Sequence, residues 1–314
     1  MNIVKPRVAI IGTGAIGGFY GLMLQRAGFE VHFLLRSEYQ AVKEQGIRIE
    51  SATLGCLQAD VNAWDNAGVM PKCDWVLLGT KATANAQMAK IINQAANTNA
   101  NVVLLQNGFG LEDELRASLR DDLLLFGGLC FICVHRKSAG VIEHQAYGGV
   151  NVAYHSGAAS PQVGQDQAQL LVNMFNQANV DSHLIANIEQ ARWQKLVWNI
   201  PYNGLSVLLN AHTGQMMQNS ATRQLISDMM HEVVNAAMAH GYSLPDNFVE
   251  KMLVSTDKMP DYFPSMYHDF THQRPLELHN IYTAPLVAAQ QVGCAMPKVE
   301  MLLQTLSFIA QQPA

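Results

Sequence analysis

The chain has 314 residues, of which 49% are hydrophobic and 14% charged, so it is long enough for two folded domains and its composition excludes a disordered protein. The net charge of −5 and the pI near 6.1 provide no basic field, which argues against nucleic acid as a partner. The odd number of cysteines, five, and the lack of an apolar targeting segment predict a reduced, cytoplasmic protein without a membrane segment. The eleven histidines show no metal-ligand spacing, which argues against a metal site.

A glycine-rich turn joins the first predicted strand, residues 7–11, to the first predicted helix. Its sequence matches the pattern G-x-G-x-x-G, and a second strand at 31–35 follows at the distance expected of a dinucleotide-binding unit. In such a unit Gly12 permits a tight turn, Gly14 lets the backbone approach a pyrophosphate, and Gly17 lets the helix pack on the strand. The alternative is a glycine turn that binds no ligand.

The residue after the second predicted strand indicates which dinucleotide binds. NAD enzymes place Asp or Glu there to hold the ribose 2′-hydroxyl, whereas this chain has Arg36 and Ser37, and its first carboxylate is Glu38. A guanidinium suits a 2′-phosphate. The sequence therefore predicts NADP(H), with an exposed helix-entry arginine as the alternative.

Strand and helix patterns alternate up to residue 134, which is typical of a doubly wound α/β sheet of the Rossmann type. The further strands are predicted at 47–50, 75–79, 102–106 and 123–134, and the helices at 85–96 and 111–119. Ligands of such sheets lie beyond the carboxyl ends of the strands, two of which are followed by Lys81 and Asn107. Both are candidate contacts to cofactor or substrate; an ordinary exposed lysine and an Asn-Gly turn are the alternatives.

The strand predicted at 123–134 contains Cys130 and Cys133 in a C-x-x-C pattern. Because residues three apart in a strand face opposite sides, we interpret both as core residues. A strand pair at 141–154 is predicted to end the sheet, and a helix at 165–179 is predicted to be the last of this domain.

Beyond residue 183 the strand pattern ends and helical patterns follow. These helices are predicted at 187–210, 221–240, 246–256, 276–292 and 298–310. We therefore predict a dinucleotide-binding domain over residues 1–184 and an all-helical substrate and catalytic domain over 185–314, with the cleft between them as the default binding site. The Met-rich helical domain is also compatible with a homodimer.

The helix predicted at 187–210 has a row of polar residues on an otherwise apolar surface. Helical spacing puts on one face Lys195, Asn199, Asn203, Ser206 and Asn210. A helix this apolar should be buried, where each unsatisfied polar group would cost roughly 1–3 kcal/mol. The row must therefore face partners or a cavity, which predicts an active site; a solvated stripe on a surface helix is the alternative. Pro201 predicts a kink near Asn203.

Several segments occur together in one order along the chain. They are Gly12 to Gly17, Leu35-Arg36, Thr80-Lys81-Ala82, Gln106-Asn107-Gly108-Phe109-Gly110, Lys195 with Asn199 and Asn203, and Ser265 twelve residues before Glu277. In this combination, over nearly its whole length, the chain resembles the ketopantoate reductase (2-dehydropantoate 2-reductase) family. The resemblance implies NADPH-dependent reduction of 2-dehydropantoate to pantoate in pantothenate biosynthesis.

The resemblance also implies a role for each matched residue. The residues implied to bind NADPH are Gly12, Thr13, Gly14, Ala15, Ile16, Gly17, Arg36 and Lys81. Asn107 would contact both cofactor and substrate, and Lys195 would donate the proton. The residues implied to hold the substrate are Asn199, Asn203 and Ser265. Glu277 would lie beside the nicotinamide ribose and the reacting centre.

Two positions depart from the family pattern. In the turn after the catalytic helix the family has a further asparagine, where this chain has Thr213. After the strand predicted at 123–134 the family has small residues, where this chain has His135 and Arg136. The sequence therefore leaves open which 2-oxo acid is the substrate.

Hydride transfer to a 2-oxo carbon builds negative charge on the carbonyl oxygen, and Lys195 is the best candidate to donate a proton there. A related 3-hydroxy-acid dehydrogenase would use a similar lysine and is one alternative. A non-catalytic NADP(H)-sensing protein is another, but it would need neither Lys195 nor Glu277. For Glu277 alone, a favourable charge in the first turn of a helix is the alternative to a catalytic role.

Overall fold

The computed structural model describes residues 5–312, and the chain divides into two compact units. The first unit comprises Met1–Asn107 and Leu111–Ile188, and the second comprises Gly108–Gly110 and Glu189–Ala314. The outer ends of the two predicted domains, residues 1 and 314, lie outside the described residues.

The first unit is built on one ten-stranded sheet. Its strands are β1 (Arg7–Ile11), β2 (Glu30–Leu34), β3 (Ile47–Ser51), β4 (Gly55–Ala59), β5 (Asn62–Trp64), β6 (Cys73–Leu78), β7 (Ala96–Leu104), β8 (Leu124–Ser138), β9 (Val141–Ser156) and β10 (Ser182–Leu184). The strand order is β4-β3-β9-β8-β7-β6-β1-β2-β5, and β10 pairs with β9. Neighbours are parallel except β3 with β4 and β8 with β9. The predicted Rossmann-type sheet is confirmed.

Both faces of this sheet are covered, as in a doubly wound fold. The helices of the unit are α1 (Ala15–Arg26), α2 (Tyr39–Gln45), α3 (Asn85–Ala95), α4 (Leu111–Arg116) and α5 (Pro161–Gln177). In β1, Val8 and Ile10 belong to one hydrophobic cluster, with side chains of α1 and α5, whereas Ala9 and Ile11 belong to another, with side chains of α3 and α4. Successive strand residues point to opposite faces. Burial on both faces explains why β1 is an uninterrupted apolar run.

The strand order reverses at β1. The chain passes from β1 to β2 on one side and later returns to β6 on the other, where Ile11 is paired with Leu78. The carboxyl ends of β1 and β6 are therefore neighbours whose connections run in opposite directions. Open parallel sheets bind their ligands at such a point.

The prediction of a strand pair at 141–154 is wrong. That segment is the single strand β9, which lies inside the sheet between β8 and β3. Tyr147 and Gly148 have positive φ angles of 65° and 139°, so the backbone bulges there without reversing. A long antiparallel ribbon of β8 and β9 results, and it buries Cys130 and Cys133 as predicted. Burial raises the pKa of the Cys133 thiol to about 11.

The described part of the second unit is helical, as predicted. Its helices are α6 (Ile188–Leu209), α7 (Thr213–Gln218), α8 (Ser220–Ala239), α9 (Phe248–Lys258), α10 (Ser265–Thr271), a π-helix (His279–Thr283), α11 (Ala284–Gln291) and α12 (Pro297–Gln311). Its core gathers around α6, of which Trp193, Val197 and Ile200 are fully buried. The helix predicted at 276–292 is helical from His279 to Gln291, but its first turns form the π-helix rather than an α-helix.

Candidate active site

Two glycines of the turn after β1 are required by the packing of the protein itself. Gly12 has a φ of +88°, and a Cβ there would lie 2.5 Å from the Thr80 amide nitrogen. A Cβ on Gly17 would collide with the Gly12 carbonyl oxygen and lie 2.9 Å from Ile10. The turn is therefore pressed between α1 and the carboxyl end of β6, which confirms a tight turn and a close helix–strand contact.

Gly14 differs from its two neighbours in the motif. Its φ is −82°, and a Cβ there would have no protein atom within 4 Å, so neither the backbone nor the packing demands glycine. It is the N-cap of α1, where the helix dipole and unpaired N–H groups favour an anion. Ala15 and Ile16 begin that helix, and the Thr13 hydroxyl donates to the Leu34 carbonyl at 3.1 Å.

Arg36 lies two residues beyond β2 and is exposed. Its guanidinium makes no hydrogen bond or ion pair with another described residue. The nearby carboxylate of Glu38 is already engaged, since it pairs with Arg136 and accepts the Gly140 N–H at 3.2 Å. Of the two charged side chains that follow β2, Arg36 is therefore available to bind a ligand, whereas Glu38 is not.

Gln106 links the carboxyl ends of two neighbouring strands. Its amide nitrogen donates to the Thr80 carbonyl at 3.0 Å and to the Asn85 side chain, whose own amide donates back to Gln106 at 3.1 Å. The segment after β6 is thereby fixed to the segment after β7. Gln106 therefore uses its side-chain amide to position Thr80 and Asn85.

Asn107 and Lys81 follow those same two strand ends, and both side chains are half-buried. The Asn107 Oδ1 atom is shielded from solvent and has no hydrogen-bond partner within the described part of the chain. Such an orphaned acceptor is rare in a folded protein and marks a place where a ligand donor fits. Lys81 caps the short 3₁₀ turn at Ala82–Ala84 with its backbone.

The segment after Asn107 is held by a residue that the sequence analysis missed. The Phe109 N–H donates to the Asn280 carbonyl at 2.8 Å, and the Asn280 side chain donates to the Phe109 carbonyl at 3.3 Å. Gly108 has a φ of +124°, and a Cβ there would lie 2.5 Å from the Asn280 Cβ. Asn280 lies in the π-helix, and short π-helical segments are frequent at functional sites. The only signal of this role in the sequence was an asparagine within an otherwise apolar helical pattern.

The polar row on α6 is buried in its centre, which contradicts the solvated stripe. Lys195 is half-buried, Asn199 is 7% exposed and Ser206 is fully buried. No side-chain hydrogen bond joins the Asn199 amide to another described residue. The Asn199 amide atoms are not among the fully shielded ones that lack a partner, so they keep some access to solvent within a nearly buried residue, and the position is suited to a polar ligand.

Asn203, one turn further along α6, is fully occupied by the protein. Its Oδ1 accepts the Met266 N–H at 3.2 Å and the Ser265 hydroxyl at 3.5 Å. Its Nδ2 donates to the Asn199 carbonyl at 3.0 Å. The structure therefore brings together two residues predicted from separate parts of the sequence, Asn203 and Ser265.

The sequence predicted that Asn210 belongs to the polar row on the helix, but the structure places it outside the helix. Helix α6 ends at Leu209, and Asn210 has a φ of +50°, a left-handed conformation that asparagine tolerates after a helix. It is exposed, and its Oδ1 accepts the Tyr267 hydroxyl at 2.7 Å.

Two carbonyl groups of α6 near Pro201 accept hydrogen bonds from side-chain hydroxyls. The Tyr282 hydroxyl donates to the Ile200 carbonyl at 2.9 Å, and the Ser206 hydroxyl donates to the Asn203 carbonyl at 2.8 Å. Burial holds the pKa of Tyr282 far above its usual range, so its hydroxyl remains a donor.

Glu277 is 5% exposed and lies just before the π-helix, where its carbonyl accepts the Ile281 N–H at 3.3 Å. Its side chain therefore does not point to solvent, unlike an ordinary surface charge in a first turn. Among residues 5–312, no group of three His, Cys, Asp or Glu could hold a metal ion. Within the same range, no helix is both long and apolar enough to cross a membrane.

Two family models match this chain. "Ketopantoate reductase PanE/ApbA" matches residues 8–157, and "Ketopantoate reductase PanE/ApbA C terminal" matches residues 187–310. A curated 2-dehydropantoate 2-reductase of Nostoc sp. is 40% identical over 305 residues, which cover 97% of this chain and 95% of that protein.

Solved structures agree with these matches. A crystal structure of 2-dehydropantoate 2-reductase from Geobacter metallireducens has a TM-score of 0.89 and 34% identity, with 96% of this chain and 99% of that chain covered. The corresponding enzyme from Methylococcus capsulatus has a TM-score of 0.85 and 35% identity, with 98% of each chain covered. The fold of this chain is thus shared with solved 2-dehydropantoate 2-reductases.

Proposed function

The chain belongs to the ketopantoate reductase family of oxidoreductases, and we propose that it reduces a small 2-oxo acid to the 2-hydroxy acid with NADPH. The substrate is 2-dehydropantoate, which becomes pantoate in pantothenate biosynthesis, since relatives that match the whole chain carry the name of that reaction. The observation that carries the proposal is the amide of the nearly buried Asn199, which makes no hydrogen bond to another described residue and follows Lys195 by about one helical turn.

The cofactor binds at the carboxyl ends of β1, β2, β6 and β7. The turn from Gly12 to Gly17 receives the pyrophosphate, because Gly14 leaves room for it at the N-terminus of α1. Arg36 selects the 2′-phosphate of NADPH, and no carboxylate competes for that place, since Glu38 is paired with Arg136. Lys81 and Asn107 complete the contacts after β6 and β7.

When bound, NADPH supplies a hydride to the 2-oxo carbon. The C=O bond then becomes a C–O single bond, and its oxygen takes up a proton as negative charge develops. Lys195 donates that proton from its ammonium group. We assign Glu277, whose side chain is 5% exposed, as a second catalytic residue, because the family resemblance implies that it acts beside the nicotinamide ribose and the reacting centre.

Neutral donors hold the substrate. The Asn199 amide and the Ser265 hydroxyl bind its carboxylate and hydroxyl oxygens without adding charge, and Asn107 contributes from the end of β7. Asn203 acts mainly through Ser265, since its own amide is already engaged by Met266 and Asn199.

An NADPH-oxidation assay over a panel of 2-oxo acids tests the proposal. Purified protein should oxidise NADPH faster than NADH, and faster with 2-dehydropantoate than with unbranched 2-oxo acids. The reverse reaction should be run with 2-hydroxy and 3-hydroxy acids. Turnover of 3-hydroxy acids alone would favour the related dehydrogenase, whereas NADPH binding without any turnover would favour a sensing protein.

A further inference from the structure

Two segments of the second unit are joined by a pair of hydrogen bonds through Thr213. The Thr213 N–H donates to the Tyr262 carbonyl at 3.0 Å, and the Tyr262 N–H donates to the Thr213 hydroxyl oxygen at 3.1 Å. Thr213 is 1% exposed. A single residue therefore bonds both polar groups of the Tyr262 backbone, and its side-chain hydroxyl is needed for one of them.

This joint lies three residues before Ser265, the first residue of α10. Three residues span at most about 10 Å, and one of them is Pro264, whose ring fixes its φ angle. Pro264 is buried, and its carbonyl accepts the Tyr267 N–H at 3.0 Å. A displacement of Tyr262 is therefore transmitted to Ser265 with little chance of being absorbed between them.

Further contacts press the two segments together. A Cβ on Gly214 would collide with the Asp261 carboxylate, so the chain after Thr213 lies directly against the residue before Tyr262. The Tyr267 ring stacks on Phe263 with centroids 4.1 Å apart. The hydrogen bond between the Tyr262 N–H and the Thr213 hydroxyl is buried, whereas the bond from the Tyr267 hydroxyl to Asn210 is exposed.

We propose that Thr213 is a positioning residue that sets the affinity for the 2-oxo acid by fixing where Ser265 begins α10. The inference rests on the proposed function, in which Ser265 holds the substrate. It gives a role to the residue at which the sequence departs from the family pattern, where an asparagine is expected. The hydroxyl acts on the substrate through the Tyr262 backbone and Ser265.

The test is Thr213→Val, which keeps the shape of the side chain and removes the hydroxyl. We expect the KM for the 2-oxo acid to rise about 10- to 100-fold, the worth of one hydrogen bond from Ser265 to a charged group of the substrate. The KM for NADPH should be unchanged and kcat nearly so, as for a loss of uniform binding. Thr213→Ser restores the hydroxyl and should restore the KM. Tyr267→Phe, which breaks only the exposed bond to Asn210, should fold normally and raise the same KM by less.

The matched control is Thr256→Val. Thr256 is also buried in the second unit, and its hydroxyl accepts the Trp198 indole N–H at 3.0 Å. It should lose stability much as Thr213→Val does while keeping the KM for the 2-oxo acid. Hydrogen exchange of the peptide over residues 260–268 should be faster in Thr213→Val and unchanged in Thr256→Val.

The outcomes separate the inference from its premise. If Thr213→Val keeps the wild-type KM, whatever its exchange rate, or if Thr213→Ser fails to restore a raised KM, the positioning role is wrong. If the wild-type protein reduces no 2-oxo acid, the proposed function is wrong, and so is a role for Thr213 in 2-oxo acid affinity. Faster exchange in Thr213→Val would then show only that the contact orders the peptide.

Discussion

Asn199 and Asn203 are the same residue type, one turn apart on α6, and both are buried, yet the protein treats their amides differently. Asn203 bonds Met266, Ser265 and the Asn199 carbonyl. The Asn199 side chain has no such bond within the described chain. The first arrangement is that of a structural group, because buried polar groups in proteins are bonded. The second suits a ligand, because the Asn199 amide is unbonded among the described residues and is not fully shielded from solvent.

The first unit shows the same contrast at the end of β7. Gln106 uses its amide to hold Thr80 and Asn85, whereas the Oδ1 of the next residue, Asn107, is shielded and has no partner among the described residues. In each pair one amide builds the site and its neighbour is left for the ligand. Family resemblance alone did not separate the two members, since it counted Asn199 and Asn203 alike as substrate contacts.

Lys195→Ala should have the largest effect, because it removes the proposed proton donor at the head of the row. We expect kcat to fall by about 10²–10⁴, the range for a lost general acid, with NADPH affinity nearly intact. Lys251→Ala, at an exposed lysine on α9, is the control and should match the wild type. An unchanged kcat in Lys195→Ala would make that lysine structural and would remove the reason to assign Asn199 to a substrate.

Gly14 and Gly17 show the same contrast between space that is left open for a ligand and space that is filled by the protein. Gly14→Ala should leave thermal stability unchanged, since a Cβ there meets no protein atom within 4 Å. It should weaken NADPH binding by about 10- to 100-fold, the worth of one hydrogen bond to a phosphate, because the added methyl group displaces the pyrophosphate. Gly17→Ala should instead destabilise the protein, because its Cβ would collide with the Gly12 carbonyl. Thermal unfolding and cofactor titration measure the two effects, and equal NADPH affinity in Gly14→Ala and wild type would contradict the open site.

The asparagine pair can be tested directly. Asn199→Ala should lower kcat/KM for the 2-oxo acid by about 10- to 100-fold, the worth of one hydrogen bond to a charged group, with little loss of stability. Asn203→Ala should cost roughly 1–3 kcal/mol of unfolding free energy, because it leaves the buried Met266 N–H without its acceptor. Unfolding curves and steady-state kinetics on both variants check this. If Asn199→Ala were instead the less stable variant and Asn203→Ala the one with the lower kcat/KM, the assignment of Asn203 to structure and Asn199 to the ligand would be wrong.

The sequence predicted the fold well wherever periodicity and glycine chemistry act locally. The turn from Gly12 to Gly17 and the buried helix α6 were predicted from short patterns, because their geometry depends on neighbours in the chain. The single strand β9 was missed because a bulge at Tyr147 and Gly148 looks locally like a break. The π-helix also has no simple spacing signal.

The partners of individual polar groups could not be predicted from spacing. The row on α6 correctly predicted a buried polar face, but only the fold shows that Met266, 63 residues later, takes the Asn203 acceptor. Nor could sequence show that Arg136 occupies the Glu38 carboxylate, 98 residues away in the chain. Such pairings depend on long-range packing, which decides which polar group remains for a ligand.

Arg36 offers the smallest effect and the sharpest test of cofactor choice. Its guanidinium is exposed and has no partner within the described chain, so Arg36→Ala should leave stability unchanged. Losing one charge-assisted contact at an exposed site should reduce the NADPH over NADH preference, measured as the ratio of kcat/KM values, by about tenfold. Arg36→Lys keeps the charge but loses the planar fork, so it should fall between the two. A preference that survives Arg36→Ala, or a wild-type preference for NADH, would show that the 2′-phosphate is not read at this position.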